Sequence, residues 1–422
     1  MNHSIVFFTI VARNYLAQAF VLGESVKKHH AESDFVIFLM DDPNKDFEDE
    51  IHRRGFSVLY PEEVAFENYR KLVFKYSIIE ACTAVKPSIL LYLLKNRSDK
   101  VIYLDPDIMC YRSFDEVIEL LDLNNIVITP HSLSSVDTNW GHSDQEFLKY
   151  GTYNLGFLGV AKSDESIRAM EWWAEKLANH CLKEAPTGIF VDQKWFDLVP
   201  SYFNKVAIFK SSAYNIAYWN IHERTLSRTD GILRVIQTGE IVAFIHFSNI
   251  DVNNPSKISK WLPPNSSYLS RSDFIELCEE YANILISNDY FKLSCLGYGY
   301  ATYDNGDPIQ QLERSLYRDY FRNNQGLPDP FSAGHGTFWE FSRIMKTGMS
   351  SNLPDNSGEH KEVTNERNNT SRNYIVKHII RGLILQTVKL FGMKKIQHVM
   401  TTVTRELNQA QYNIIKLAIK KF

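Results

Sequence analysis

The chain has 422 residues, with 46 Lys+Arg against 50 Asp+Glu, 44% hydrophobic residues and 13% aromatic residues. That length suits two or three domains, or one large α/β domain with additions, and the apolar content excludes wholesale disorder. A net charge of −4 argues against a dedicated nucleic-acid binder.

The charge is unevenly spread. Residues 372–422 hold ten Lys/Arg and one acid, Glu406, leaving the remainder at −13. Five scattered cysteines without a Cys-x-x-Cys pair give neither a thiolate zinc site nor a disulfide framework, which fits a reducing cytoplasm. The first residues read as a strand rather than a leader peptide, and no run of about 20 apolar residues is present to span a bilayer.

In chain order, Ser4–Ile10 reads as a strand, Ala17–His29 as a helix, and Phe35–Met40 as a second strand ending at Asp41-Asp42. Lys71–Leu94 is helical with an interruption at Lys86-Pro87. Val101–Leu104 is a buried strand ending at Asp105. Further strands are expected at Ile126–Thr129, Leu155–Ala161, Val206–Phe209 and Val242–His246, with a helix over Ile167–Cys181. Strands alternating with helices predict an α/β fold with many parallel strands. Residues 1–269 then form the catalytic domain and 270–347 a helical, aromatic extension. Residues 348–371, rich in Asn, Ser, Glu and Gly, read as a disordered linker. Residues 372–422 read as a basic amphipathic helical tail. In its second helix Met393, Ile396, Met400, Val403, Leu407, Ala410, Ile414 and Leu417 recur with 3,4 spacing. That tail can dock on the body, pair with a second copy, or lie on anionic lipid.

The sharpest motif is Val101-Ile102-Tyr103-Leu104-Asp105-Pro106-Asp107. Two acids leave the carboxyl end of a buried strand, where open α/β sheets collect their ligands. Carboxylates there can hold Mn²⁺ or Mg²⁺ on a nucleoside diphosphate; the plain alternative is an Asp-Pro turn. His246 ends another apolar strand and is either a third ligand or a capping or core histidine. Lys257 and Lys260 follow, as phosphate binders or surface lysines. Asn154, with Gly151 and Gly156, stands where a sugar can approach the backbone, or where the chain merely turns. Asp192 and Gln193 suit sugar hydroxyls, or Asp192 caps a helix.

Together these motifs resemble the GT-A glycosyltransferases of family 8, related to glycogenin and the bacterial lipopolysaccharide galactosyl- and glucosyltransferases. The likeness lies in Phe8-Thr9 with Tyr15, Leu104-Asp105-Pro106-Asp107, Tyr153-Asn154-Leu155-Gly156-Phe157, Asp192-Gln193, and His246-Phe247-Ser248 with Lys257 or Lys260. A bacterial surface-polysaccharide branch is also similar, through Glu80–Pro87, Phe190–Trp195, Tyr214–Asn220 and Asp329-Pro330-Phe331. The resemblance runs in order over roughly residues 1–340. It implies Mn²⁺ or Mg²⁺ on Asp105, Asp107 and His246, and a nucleotide base and ribose against Thr9, Val11 and Tyr15. It also implies Lys86 and Lys257 or Lys260 facing phosphates or donor sugar, and Asn154, Asp192 and Gln193 around the reacting sugar. The implied donor is a UDP-sugar and the acceptor a bacterial surface glycan, lipid-linked in many such systems. The place is the cytoplasm or the inner face of its membrane. Asn249 stands where the family has Gly, and the segment Lys257–Trp261 departs from its lysine motif. A sugar-1-phosphate nucleotidyltransferase is a second reading, but it needs a Gly-rich loop where Ala12-Arg13-Asn14-Tyr15 stands. A silent glycan-binding scaffold is a third, weighed against the intact Asp105, Asp107 and His246 set.

Overall fold

A computed structural model describes residues 5–64, 69–136, 143–321 and 329–343. The linker and basic tail expected over 348–422 lie outside them. The chain divides into two compact units, one of residues 1–69 and 78–299, the other of 70–77 with the chain from Tyr300 onward.

Among the described residues the first unit holds thirteen strands in chain order: β1 (Val6–Val11), β2 (Asp34–Leu39), β3 (Ser57–Leu59), β4 (Lys100–Leu104), β5 (Ile108–Cys110), β6 (Ile126–Pro130), β7 (Tyr153–Ala161), β8 (Lys183–Glu184), β9 (Ile189–Phe190), β10 (Val206–Ile208), β11 (Leu226–Thr229), β12 (Ile232–Val235) and β13 (Phe244–His246). Seven of them form one mixed sheet in the order β10-β6-β7-β4-β1-β2-β3. β7 runs antiparallel to β4 and β6, and the other six strands share one direction. The sheet is thus mostly parallel, as the alternation of strands and helices predicts. β1, β2 and β4 are apolar runs buried along nearly their whole length, which suits strands covered on both faces.

From β1 the chain builds outward to β2 and β3, then returns to lay β4 on the other side of β1. That reversal opens a crevice at the carboxyl ends of β1 and β4, the topological switch point where such sheets take ligands. The end of β1 carries Thr9 and Val11, and the exit of β4 carries Asp105 and Asp107.

The region expected as one interrupted helix is three: Tyr69–Phe74, Ile78–Ala84 and Lys86–Asn96. Pro87 stands in the first turn of the last, where its missing N–H costs nothing. The helix Ser272–Ser287 belongs to the first unit, its Phe274, Leu277, Cys278, Tyr281, Ala282 and Leu285 buried in that unit's core.

In the second unit Phe74 is ringed by Tyr303, Tyr317, Phe331 and Phe338 at centroid distances of 4.8–5.8 Å. Buried Arg314 donates to the carbonyls of Val73, Phe74 and Tyr300. The Asp329-Pro330-Phe331 motif serves this core: Asp329 pairs with Arg70 at 2.6 Å and Phe331 packs on Phe74. Among the described residues no helix is long and apolar enough to cross a membrane.

Candidate active site

Asp105 leaves β4 with its N–H bonded to the Gly156 carbonyl of β7 at 2.7 Å, and its own carbonyl accepts from Ile108 N–H at 3.1 Å. The chain therefore turns tightly across Pro106 and starts β5. β13 pairs antiparallel with β5, placing His246 opposite Ile108, and Phe247 N–H donates to the Asp107 carbonyl at 2.8 Å. This two-stranded ladder carries His246 to the two acids. One ligand atom from each of Asp105, Asp107 and His246 lies within 4.8 Å of the others. His246 Nε2 is 3.0 Å from Asp107 Oδ1 and 3.6 Å from Asp105 Oδ2.

Burial by itself disfavours charge on both members of the closer pair, but the opposite partner wins. The imidazole holds the Asp107 carboxyl below its ordinary value, and the carboxylates hold His246 above its own. A divalent cation held here would supply positive charge to the same two carboxylates. The donors fit one: two carboxylates and an imidazole suit Mn²⁺, and the ligand atoms already converge. Gly156 forms the floor of this cradle. A Cβ there would come within 2.6 Å of His246 Cε1 and 2.8 Å of Asp105 Oδ2. Trp219 meets the His246 ring edge-on at 5.2 Å and fixes its plane.

Asn249 answers the departure noted in the sequence. Its φ is +55°, the left-handed region where Gly is most at ease and Asn is tolerated, so the backbone shape that Gly would serve is kept. Its N–H supports the Asp107 carboxylate, and its carbonyl accepts from Lys260 N–H. Asn249→Gly is expected to leave urea unfolding near wild type. Asn249→Val costs about 1–2 kcal/mol, the penalty of a left-handed β-branched residue. Equal midpoints for the two variants would remove this explanation.

A second cluster lies beneath the acids. Lys86, 1% exposed, extends its ammonium to Asp192 Oδ2 at 2.5 Å and to the Leu155 carbonyl at 2.9 Å. The helical-cap reading of Asp192 does not hold: its side chain makes no cap bond to the 3₁₀ turn Gln193–Leu198 and points to Lys86 instead. Asp192 follows Val191, whose φ of +40° is a strained value for a β-branched residue. Burial raises the Asp192 carboxyl, and Lys86 offsets only part of that rise. Gln193 donates to the Tyr150 carbonyl at 3.0 Å. Asn154 accepts from Gly156 N–H through Oδ1 and meets His131 Nε2 at 3.2 Å through Nδ2.

At the end of β1, Thr9 and Val11 are buried, and Tyr15 is 40% exposed on the following turn. Partial burial and the charges of Asp107 and Asp105 push the Tyr15 phenol up to about 12. The hydroxyl of Thr9 and the side-chain Oδ1 of Asn14 are buried with no protein partner. Asp41, at the exit of β2, accepts from the N–H groups of Arg13 and Gly299 and closes this corner.

Asp105, Asp107, His246 and Asn154 therefore meet around Gly156, and Lys86 joins Asp192 below them. Lys257 and Lys260 stand apart on an exposed turn. Between them buried Ile258 takes φ +62°, ψ −57°, and Ser259 N–H bonds to the Lys257 carbonyl at 2.6 Å, a strained γ-turn. Lys257 Nζ lies 3.9 Å from Asp251.

Two contributors escaped the sequence reading. Tyr103 hydroxyl donates to Asp105 Oδ1 at 2.6 Å, and burial with the Asp105 charge keeps that phenol protonated. Two-residue strand periodicity, which puts Tyr103 on the face of Asp105, is the signal that would have found it. His131 stacks on Phe147 and buttresses Asn154, and only its place just after β6 hinted at it.

No protein-family model matches the chain. It is similar to the uncharacterised protein YfnD of Bacillus subtilis (strain 168), with 21% identity over 250 residues covering 57% of this chain and 76% of that one. Among solved structures it is similar to the galactosyltransferase LgtC in complex with donor and acceptor sugar analogues, at 16% identity and a TM-score of 0.38, covering 69% of this chain and 97% of LgtC. It is also similar to the glycosyltransferase GlyE of Streptococcus pneumoniae TIGR4, at 14% identity and a TM-score of 0.40, covering 69% of this chain and 64% of GlyE, just under two thirds.

Proposed function

We propose that this protein is a metal-dependent GT-A glycosyltransferase that moves a sugar from a UDP-sugar to a bacterial surface-glycan acceptor, with retention of configuration. The observation that carries the reading is the convergence of Asp105, Asp107 and His246 within 4.8 Å at the carboxyl end of β4, over a glycine that alone leaves room for them. Mn²⁺ or Mg²⁺ held there would offset the charge of the nucleoside diphosphate and stabilise it as a leaving group.

The chain's own residues do the rest. Thr9, Val11 and Tyr15 line the crevice for base and ribose, and the unpartnered Thr9 hydroxyl is available to them. Asn154, its amide fixed between Gly156 and His131, orients the sugar. Asp192 supplies negative charge to the oxocarbenium ion that develops as the diphosphate departs, and Gln193 flanks it. Lys86 offsets part of the burial that disfavours charge on Asp192. Lys257 or Lys260 closes over the diphosphate from the exposed turn. The acceptor hydroxyl attacks from the leaving-group face and passes its proton to the departing diphosphate oxygen, which avoids any need for a protein nucleophile with a paired base. The +9 charge of residues 372–422 suits a peripheral station at the inner face of the cytoplasmic membrane, beside a lipid-linked acceptor. The retaining course follows the family-8 resemblance.

The test is a panel of nucleotide sugars with Mn²⁺, scored for donor hydrolysis. One UDP-sugar is expected to be consumed in a reaction that EDTA stops. Hydrolysis of none, or hydrolysis indifferent to EDTA, contradicts the reading.

A further inference from the structure

Asp105 is held from the side away from His246. Tyr103, two residues earlier on β4, donates its hydroxyl to Oδ1 at 2.6 Å, while Oδ2 is the oxygen that faces His246. One oxygen is anchored and the other presented, so the carboxylate plane is set before anything binds. The Lys86 ammonium lies 4.1 Å from the centroid of the Tyr103 ring, and the same ammonium pairs with Asp192. Tyr103, Lys86 and Asp192 are 3%, 1% and 3% exposed, so water does not compete for these contacts. A cation against the ring draws electron density from it and makes the hydroxyl a stronger donor toward a carboxylate.

Given the cation site proposed above, we propose that Tyr103 is a positioning residue that ties the metal ligand Asp105 to the buried Lys86–Asp192 pair, so that changes at Asp192 are felt at the metal through one phenol. Asp192 holds the ammonium, the ammonium packs on the ring, and the ring's hydroxyl orients Asp105. The four groups come from β4 and its exit, the helix Lys86–Asn96 and the turn after β9.

The test uses the full chain and Mn²⁺ alone, titrated with the electron paramagnetic resonance signal of the free ion as readout. Tyr103→Phe keeps the ring and its packing and removes only the hydroxyl. It is expected to raise the Mn²⁺ Kd by about 10- to 100-fold, the usual cost of losing a partner that orients a ligand, with unfolding of the metal-free protein close to wild type. Asp192→Asn is expected to raise the Kd by a smaller factor, and the double variant no more than Tyr103→Phe alone. A wild-type Kd in Tyr103→Phe, while Asp107→Ala loses Mn²⁺, overturns the positioning role and leaves the cation site standing. Additive effects of Tyr103→Phe and Asp192→Asn overturn the coupling. Wild-type protein that binds no Mn²⁺, or Asp107→Ala that binds it normally, overturns the cation site and this inference together.

Discussion

Asp107→Ala is expected to lower sugar transfer by about 10³-fold or more, the scale of removing a group from a preorganised electrostatic site. Asp107 gives the closest of the carboxylate contacts to His246, and its backbone carbonyl, which pairs with Phe247 N–H, survives the substitution. The ladder between β5 and β13 therefore remains, and circular dichroism and thermal unfolding should stay close to wild type. His246 loses the carboxylate that does most to raise its pKa and keeps its ring nitrogen for a cation, but one ligand is gone. Full activity of this variant with added Mn²⁺ would sink the metal reading. Loss of the fold would make the acid structural instead.

Lys86 and Asp192 carry the second large effect, and its sign pattern is diagnostic. Lys86→Met leaves a buried carboxylate with no counter-charge, a change that costs about 3–5 kcal/mol. The Asp192 carboxyl is raised even with Lys86 in place, so burial outweighs the attraction and the pair stabilises the fold little. Replacing both, as Lys86→Met with Asp192→Leu, is accordingly expected to restore most or all of the stability lost in the single variant. Donor hydrolysis should still be absent. Urea unfolding and donor hydrolysis measured side by side give both numbers. A wild-type midpoint for Lys86→Met would contradict the uncompensated buried charge, and activity in the double variant would show that the pair does not serve the reaction.

Much of this was legible in the residues because it is local. Val101–Leu104 followed by Asp105 reads as a strand and its exit, and the structure places β4 there. Phe35–Met40, Ile126–Thr129 and Leu155–Ala161 are apolar runs that fall on β2, β6 and β7 within a residue or two. β3 and β5 are three residues each and leave too short a pattern to register. The reversed direction of β7 depends on its partners on both sides, which no local run encodes.

The site divides in the same way. Asp105 and Asp107 announce themselves by spacing. His246 as their neighbour required the pairing of β13 with β5, well over a hundred residues apart in sequence; its place at the end of an apolar strand left both a ligand and a capping or core histidine open, and the resemblance pointed to the ligand. Lys86 reads alone as a lysine before a proline, and nothing near it reveals that Asp192 waits 106 positions on. Asn249 shows the opposite case: a residue that departs from the expected glycine keeps its backbone shape, since Asn bears a left-handed conformation.

Asp105, Asp107 and His246 are proposed to receive a divalent cation together with a nucleoside diphosphate. Anomalous diffraction from crystals grown with MnCl₂ and UDP tests it most directly. One strong manganese peak is expected among the carboxylates of Asp105 and Asp107 and His246 Nε2, beside the diphosphate. A manganese peak elsewhere with UDP bound, or UDP bound at the β1–β4 crevice with no metal at these three side chains, would contradict it.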